Sequence, residues 1–256
     1  MKPSGRIDFI QTVKKALDRK HSTQPTLEDL ISNESNEEES RLLETIVSRN
    51  ADARLTLLER LVESAGPINA SVIRVGDAAA AGDVIACIAD EKSVEWGDDK
   101  SIVAWDHPLV KALDRSPRFR SLDIPVHFPA TGTETADRRE SFRGMAEGAF
   151  IGITSADYCI AETASLAMKT RPGQPRCVSL LPSIHIAVIE IEQILADLNE
   201  WYTLLRWDPD QRNEGLTRCM TLITGPSKTA DIEATLVHGA HGPRELTLVV
   251  LTGHMK

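Results

Sequence analysis

Residues 183–189 form a nearly continuous apolar run, Ser-Ile-His-Ile-Ala-Val-Ile, which lacks the regular alternation of a strand with one face in water. Such a run is typical of a strand buried on both faces of a parallel sheet. Other short β-rich runs, at 71–75, 101–105 and 149–154, alternate with helical patterns along the chain. Because alternating strands and helices build a mainly parallel sheet with helices on both faces, the sequence predicts an open α/β fold.

The first part of the chain has a different pattern. Residues 1–65 predict a helical N-terminal extension, and residues 66–256 predict the α/β domain. Apolar residues at helical spacing predict one helix that ends near Lys20 and a second one over residues 41–64. The acidic segment 32–40 fits either a loop or the first turn of the second helix, where negative charge is favourable. We expect these helices to lie outside the core of the sheet.

Composition excludes several classes of partner. The net charge of −9 opposes binding to the phosphate backbone of a nucleic acid. No apolar run approaches the roughly 20 residues that a membrane-spanning helix needs. The first residues lack the apolar core of a signal peptide, so a cytoplasmic location is expected.

The four cysteines are far apart in sequence. Cys87, Cys159, Cys177 and Cys219 form no C-x-x-C pair. An iron–sulfur cluster needs clustered thiolates, so no iron–sulfur cluster is expected in this chain. If the protein takes part in redox chemistry, the electrons are expected to pass through another subunit.

The segment after residue 220 is the strongest candidate for a binding site. It predicts a strand, a tight turn at Gly225, and a helix start that contains Ser227, Lys228 and Thr229. A glycine at a strand end allows a sharp turn and close approach of a ligand. The two hydroxyls could cap the helix or, together with the lysine, hold an anion. The spacing alone leaves both interpretations open.

Two histidines, His238 and His241, follow three residues apart. On a helix this spacing could hold a transition metal. Two glycines and a proline in the same stretch indicate a loop, and no carboxylate or thiolate motif completes a ligand set. We therefore predict no metal site, and we expect the histidines to line a pocket.

Two further candidates come earlier in the chain. Glu162 and Thr163 lie at a predicted turn between two short strands, where a salt-bridged surface carboxylate is the ordinary interpretation. Arg176 and His185 flank the corner at 180–183, and the apolar alternation places His185 on the opposite face from its neighbours. A half-buried histidine that bonds to a backbone carbonyl is the ordinary interpretation there.

Five short motifs resemble the signature of the LUD-domain family, of the lactate utilization C type. The more specific ones are Gly225-Pro-Ser-x-Thr-Ala-Asp-Ile-Glu233 and His241-Gly-Pro243. The others are Gly152-Ile-Thr-x-Ala-Asp157, Ala161-Glu-Thr163 and Leu181-Pro-x-x-His185. The resemblance extends from about residue 150 to 251 and is absent from the first sixty residues.

The resemblance implies a sheet like that of the NagB, RpiA and CoA-transferase proteins. It also implies an accessory subunit, without its own cluster, of a cytoplasmic system that oxidises L-lactate to pyruvate. The implied partners are a cysteine-rich subunit and an iron–sulfur subunit. The alternatives are a CoA-transferase-like or isomerase-like enzyme that uses Glu162, and a module that senses a small metabolite.

The resemblance also suggests a shared site. CoA transferases form an acyl-enzyme thioester on a glutamate at a comparable strand end, which makes Glu162 a candidate catalytic residue. The family pattern Glu-Thr-Gly reads Glu-Thr-Ala here, with Ala164 in place of the glycine. Glu162, Arg176 and His185 are expected to converge on a small carboxylate or phosphate. The histidines and hydroxyls of the C-terminal segment should join them in one crevice at the carboxyl edge of the sheet.

Overall fold

The computed structural model describes residues 35–94, 100–130, 135–215, 217, 219–230, 236–238 and 242–253. The chain divides into two compact units, residues 1–40 and residues 41–256. Within the described end of the first unit, Asn36 Oδ1 accepts a hydrogen bond from Glu39 N at 2.8 Å, and Glu39 Oε2 accepts one from Asn36 N at 3.0 Å. This reciprocal cap begins a helix at Glu37, so the acidic segment forms a helix start. The helix predicted to end near Lys20 lies outside the described residues.

The helices of the described residues are α1 Glu37–Val47, α2 Ala51–Ala65, α3 Ala78–Glu91, α4 Pro108–Lys111, α5 Pro117–Arg120, α6 Ala136–Glu147, α7 Cys177–Leu180, α8 Leu198–Trp207 and α9 Pro209–Glu214. The strands are β1 Ala70–Val75, β2 Ile102–Ala104, β3 Val126–His127, β4 Ile151–Thr154, β5 Tyr158–Ile160, β6 Ser165–Lys169, β7 Ile184–Glu190, β8 Ile194–Leu195, β9 Met220–Thr224, β10 Lys228–Ala230, β11 Leu236–His238 and β12 Glu245–Leu251. Among the described helices, each is too short or too polar to span a bilayer.

A six-stranded sheet forms the centre of the larger unit, in the order β1-β12-β7-β4-β2-β3. All its strand pairs are parallel, and helices pack against it. The first six residues of β7 are buried, which confirms the strand predicted from the apolar run at 183–189. The predicted α/β class with a parallel sheet is confirmed.

Local signals set the start of several helices. Asp77 caps α3, because its side chain accepts a hydrogen bond from Ala80 N at 2.9 Å. Pro108 occupies the first turn of α4, where its missing N–H costs nothing. Both helices follow strands of the main sheet, and Ala81, Ile85 and other residues of α3 are buried in the core.

A second sheet has the order β8-β5-β6-β9 and mixes parallel and antiparallel pairs. Its strands β5 and β6 are the two short strands predicted around residues 163 and 164. Strands β10 and β11 pair separately as an antiparallel ribbon. The predicted helix start at Ser227 is therefore wrong, since Lys228–Ala230 is a strand. Hydroxyl-rich residues suit a strand as well as a helix cap, and the partner strand is not visible in the local sequence.

Two other predicted elements are also wrong. The local sequence of residues 176–180 predicts an extended segment, but the chain forms the single helical turn α7 there, in which Leu181 N donates to Cys177 O at 3.0 Å. The apolar spacing from Ile191 to Leu205 predicts one helix, but the helix begins only at Leu198, where Asp197 caps it. Ile194 and Leu195 instead pair with β5, because burial of two apolar residues in a sheet overrides their helical spacing.

Helix α2 packs into the main core. Its residues Leu58, Leu61 and Ala65 are at most 1% exposed and belong to the same apolar cluster as the central strands. The expectation that the N-terminal helices lie outside the core is thus wrong for α2. Its apolar stripe is buried against the larger unit because an amphipathic helix needs an apolar partner. The domain boundary at residue 65 stays a prediction.

Candidate functional site

The carboxyl ends of β2 and β4 are neighbours in the main sheet, and polar residues follow both strands. Asp106 and His107 come after β2, and Asp157 comes after β4. Asp106 N donates a hydrogen bond to Gly173 O at 2.9 Å, which ties this edge to the turn that follows β6. Ligands of open α/β sheets bind at this edge, so its chemistry is the natural starting point.

Four charged residues, Asp157, Lys169, Arg171 and Glu214, form what we call the carboxyl-edge cluster. Arg171 Nη2 lies 2.6 Å from Asp157 Oδ1 and 3.0 Å from Glu214 Oε2. Lys169 Nζ donates to Glu214 Oε2 at 2.9 Å, and its side chain is 3% exposed. Two cations thus face two anions, and the buried lysine is paired. Such pairing is what a buried charge requires.

The cluster alters the titration of Glu214 and of two neighbours. Hydrogen bonds from Arg171, followed by those from Lys169, lower the pKa of Glu214 to about 2. Burial raises the pKa of Tyr158 to about 12, and the nearby carboxylates of Asp208 and Asp157 add to the effect. Burial also lowers the pKa of His107, although Asp157 opposes this change. At neutral pH Glu214 is therefore ionised and the neighbouring phenol is protonated.

A small pocket adjoins the cluster, and we call it the Arg176 pocket. Trp105 and Lys169 form parts of its wall, and Gln174, Arg176 and Ser179 contribute polar groups. Trp105 Nε1 donates to Pro175 O at 3.0 Å, which holds the indole against the loop that carries the polar groups. Ser179 Oγ donates to Arg176 O at 3.0 Å. The pocket therefore has a fixed wall and a charged residue at its edge.

Glu162 lies in the turn after β5, away from that pocket's lining. Its side chain is 51% exposed, and its Oε1 lies 3.1 Å from Arg60 Nη2 on α2. Its backbone N–H donates to Ala196 O at 3.0 Å. This is the salt-bridged surface carboxylate of the ordinary interpretation. Ala164, which replaces the family glycine, adopts a φ of 48°, so the turn keeps the left-handed backbone without a glycine.

Three hydroxyls, those of Thr163, Ser165 and Thr224, connect this turn to the end of β9, and we call them the hydroxyl chain. Thr163 Oγ1 lies 2.7 Å from Ser165 Oγ, which lies 2.6 Å from Thr224 Oγ1. Gly225 follows with a φ of 73°, and a Cβ there would lie 2.9 Å from Ile68 O. A residue with a Cβ would strain the backbone at this φ and would lie too close to Ile68 O, so this position favours glycine. The structure thus brings Glu162, Thr163 and Gly225 into one region.

Ser227 and Lys228 continue the chain beyond the turn. Ser227 N donates to Pro243 O at 2.7 Å, and Lys228 is exposed at the start of β10. Thr229 and His238 lie on the β10–β11 ribbon, where only their backbone is described. His241 lies outside the described residues. Their assignment as ligand-binding residues stays a prediction.

His185 is a core residue. It is 1% exposed, and its Nε2 lies 2.8 Å from Thr154 Oγ1. Its Nδ1 is buried and makes no hydrogen bond within the part of the chain that the structure describes. Burial lowers its pKa to about 3, so the ring is neutral at physiological pH. Its partner is a hydroxyl and not the backbone carbonyl of the ordinary interpretation.

The strand order does not bring the predicted site residues to a single crevice. Residues 160 and 224 end strands of the second sheet, in which β6 and β9 are antiparallel. Residue 184 begins β7, so His185 lies near the amino end of that strand. Parallel order therefore does not bring these three turns to one edge. The assignment of these residues to one binding site stays a prediction.

Comparison with known proteins identifies the family. The LUD domain family matches residues 58–251, which is well over half of the chain. The chain belongs to the LUD domain family.

Several relatives of this LUD-domain protein are named lactate utilization protein C. It is 32% identical over 164 residues to lactate utilization protein C of Shouchella clausii, a match that covers 63% of this chain and 66% of that one. It is 30% identical over 150 residues to lactate utilization protein C of Bacillus subtilis, with 55% and 61% coverage. The matches therefore span just under two thirds of the length of these relatives.

A solved structure supports the fold. A DUF162 family protein from Deinococcus radiodurans superimposes with a TM-score of 0.52 at 19% identity, over 77% of this chain and 98% of that one. At this identity the likeness concerns the fold alone. It supports the α/β architecture of the LUD domain.

Sequence reasoning about this LUD-domain protein missed most of the carboxyl-edge cluster. Asp157 ends one of the family-like motifs, but none of these motifs contains Lys169, Arg171 or Glu214. Arg171 precedes Pro172 and Gly173, and this turn signal after a strand could have drawn attention to it. Glu214 lies in a short polar helix, where nothing local marks its partners. Within the described residues, no group of three or more potential ligands is placed to hold a metal ion.

Proposed function

We propose that this chain is an accessory component of an L-lactate utilization system, which oxidises lactate to pyruvate in the cytoplasm. The observation that carries the proposal is the family match over residues 58–251, together with relatives named lactate utilization protein C. The region matched includes the carboxyl-edge cluster and the Arg176 pocket.

The thiol chemistry supports an accessory role rather than electron transfer through this chain. Cys159 is fully buried, and burial raises its pKa to about 12. Burial also raises the pKa of Cys177. Iron–sulfur clusters are held by closely spaced thiolates, and the four cysteines of this chain are far apart in sequence. We therefore infer that a cysteine-rich subunit and an iron–sulfur subunit carry the electrons.

The geometry around Glu162 supports the same choice over a CoA transferase. A nucleophilic carboxylate should lie in a closed site that excludes water. The Glu162 side chain is half exposed and is paired with Arg60. We expect that incubation of the purified protein with an acyl-CoA and hydroxylamine leaves it unmodified at Glu162. Covalent hydroxamate at this residue, found by mass spectrometry, would support the transferase instead.

A growth experiment tests the proposed function. Deletion of the gene from its own organism should abolish growth on L-lactate and leave growth on pyruvate intact, because only the oxidation step is lost. A plasmid copy of the full chain should restore growth. Undiminished growth of the deletion strain on L-lactate as sole carbon source would refute the proposal.

A further inference from the structure

Strand β9 is an open edge of the second sheet. It pairs with β6 on one side, and the described residues supply no strand for its other side. Its sequence, Met-Thr-Leu-Ile-Thr, contains no charged residue and no proline. Natural edge strands are often very short, charged or interrupted by proline, because an open edge can pair with another chain. β9 has none of these features, so its edge is available for pairing.

The other edges of the two larger sheets differ from β9. Strands β3 and β8 are only two residues long, and Pro125 and Pro129 flank β3. Strand β1 is longer, but it carries the exposed charge of Arg74. Among these four edges, β9 is the one that is both uncharged and long enough to pair.

The backbone of β9 directs half of its polar groups toward the open edge. Cys219 O accepts a hydrogen bond from Thr170 N at 3.0 Å, so the polar groups of Cys219 face the β6 side. Along an antiparallel strand, successive residues direct their N–H and C=O groups to opposite sides. Every second residue of β9 therefore directs its backbone groups away from β6, namely Met220, Leu222 and Thr224. Within the described part of the chain, the outward backbone groups of Leu222 and Thr224 have no hydrogen-bond partner.

The side chains of this edge are apolar and exposed. Leu222 is 45% exposed and Met220 is 37% exposed. The register partner of Leu222 on β6 is Ala167, which is buried in the apolar cluster that includes Trp201 and Leu204 of α8. Apolar surface thus continues from this cluster to the open edge, where it meets solvent. Removal of that surface from water would stabilise a contact with a partner.

We propose that β9 pairs with β9 of a second copy of this chain, in antiparallel order, around a two-fold axis at Leu222. The three outward-facing residues are symmetric about Leu222, so Leu222 pairs with its own copy and Met220 pairs with Thr224. Each outward N–H then meets a C=O of the other copy, as in an ordinary antiparallel ladder. The same patch serves both copies, and the two four-stranded sheets become one continuous sheet.

The charge distribution favours a second copy over a basic partner. The chain has a net charge of −9, so two copies repel each other at long range and can meet only at an uncharged surface. Residues 219–224 are such a surface, and this pairing places no like charges opposite each other along β9. Because salt screens the long-range repulsion, the dimer should become tighter as the ionic strength rises. A basic partner would instead bind less tightly.

Sedimentation equilibrium of the purified full chain measures this association. The apparent mass should rise from 28.1 kDa toward twice that value as the protein concentration increases. A dissociation constant of about 10 µM is expected, because a single pair of short strands makes a small interface. Leu222→Lys should weaken the dimer at least about tenfold, because it places two like charges directly opposite each other.

Tyr202→Lys provides the matched control. Tyr202 lies on α8 and is 63% exposed, so this substitution adds the same charge at an apolar surface position away from the β9 edge. Both variants change the net charge equally, and so the long-range repulsion cancels in their comparison. The dissociation constant of Tyr202→Lys should match that of the wild type.

A cysteine cross-link tests the register of the two strands. In this pairing the two Cα atoms of residue 222 lie about 5.5 Å apart, which is within the range of a disulfide. Oxidised Leu222→Cys should therefore migrate as a linked dimer on a non-reducing gel, whereas the wild type and Tyr202→Cys should not.

Three results would each overturn the proposal. The wild-type chain could stay monomeric over the whole concentration range at high salt. Leu222→Lys could dimerise as tightly as Tyr202→Lys. Leu222→Cys could form no more cross-linked dimer than Tyr202→Cys.

Discussion

The Arg176 pocket with its carboxyl-edge cluster and the hydroxyl chain near Glu162 are both polar regions at strand ends, yet they are built differently. The first joins charged side chains from distant parts of the sequence, such as Lys169 and Glu214, 45 residues apart. The second joins hydroxyls at 2.6 and 2.7 Å and positive-φ backbone at Ala164 and Gly225. The first buries a charged side chain, since Lys169 is 3% exposed, whereas the second bonds uncharged hydroxyls to one another. A buried charge must be paired with an opposite charge, whereas neutral hydroxyls satisfy one another by hydrogen bonds alone.

The largest loss of stability should come from a substitution at Gly152, which packs against the helical turn α7 beside the pocket. A Cβ on Gly152 would lie 1.9 Å from Val178 O, in the helical turn α7 beside Arg176 and Ser179. Gly152→Ala must displace backbone, so we expect a loss of more than about 3 kcal/mol in the free energy of unfolding. Chemical denaturation measures this loss.

A second glycine, on the protein surface, provides a control for Gly152→Ala. Gly144 lies exposed on α6, and a Cβ added to it would meet no atom within 4 Å. Gly144→Ala should stabilise the protein by about 0.5–1 kcal/mol, because alanine has the better helix propensity. If both variants behave alike, the close packing of α7 on β4 does not matter for stability.

The pH dependence of stability shows whether water reaches the buried His185 beside the corner at 180–183. The native pKa of His185 is about 3, below the ordinary value of 6.5, so only the unfolded chain takes up a proton between these values. Stability is therefore fully present above pH 6.5 and is lost as the pH falls toward 3. His185 alone should cost about 1.5 kcal/mol between pH 6.5 and pH 5.

Comparison of the wild type with His185→Gln over this pH range isolates the effect. The free energy of unfolding of the variant should fall less steeply with acid, whatever its value at pH 7.5. Equal slopes would show that the imidazole is reached by water, as the crevice interpretation requires.

The charge pairing of the carboxyl-edge cluster should contribute less to the free energy of unfolding, and this contribution should be lost over a lower pH range. Hydrogen bonds from Arg171 and Lys169 lower the native pKa of Glu214 from its ordinary 4.5 to about 2. The stabilisation is thus present above pH 4.5 and is lost as the pH falls toward 2. Because Glu214 is 32% exposed, Glu214→Gln should cost only about 1 kcal/mol at pH 7.

An exposed carboxylate serves as the reference for Glu214. Glu147 pairs with Arg143 on the surface of α6, with both side chains more than half exposed. Glu147→Gln should cost less than about 0.5 kcal/mol, as is usual for exposed helix pairs. Urea unfolding at pH 7 and pH 3 should show the Glu214 difference shrinking with acid, and a constant difference would contradict the pairing.

A substitution in the hydroxyl-chain region should change the free energy of unfolding least. Ala164 is fully buried with a φ of 48°, a backbone conformation that costs about 1 kcal/mol for a residue with a Cβ. Ala164→Gly removes this strain but also loses a buried methyl group, worth about 0.8 kcal/mol. The two effects offset each other, so thermal unfolding should show a net change below about 0.5 kcal/mol. A large loss would show that the turn is not strained.

Much of the fold was predictable because its signals are local. The apolar run of β7 identifies a doubly buried strand, and Asp77 and Pro108 mark helix starts by side-chain and backbone chemistry that acts within four residues. After Ser227 and at Ile194 the local pattern predicts a helix, and the strand that forms instead depends on a pairing strand elsewhere in the chain. Leu236–His238 and Cys159–Ile160 supply those strands, and neither is adjacent in sequence.

The amino-acid sequence by itself determined the α/β class, the family, and the candidate status of Arg176, because periodicity, caps and motifs are written within short segments. The tertiary structure decided which polar groups are satisfied. It pairs Glu162 with Arg60, which is 102 residues away, and buries His185. It also pairs Lys169 with Glu214, which is 45 residues away. Charge compensation depends on distances of a few ångströms between remote residues, and such distances exist only after folding.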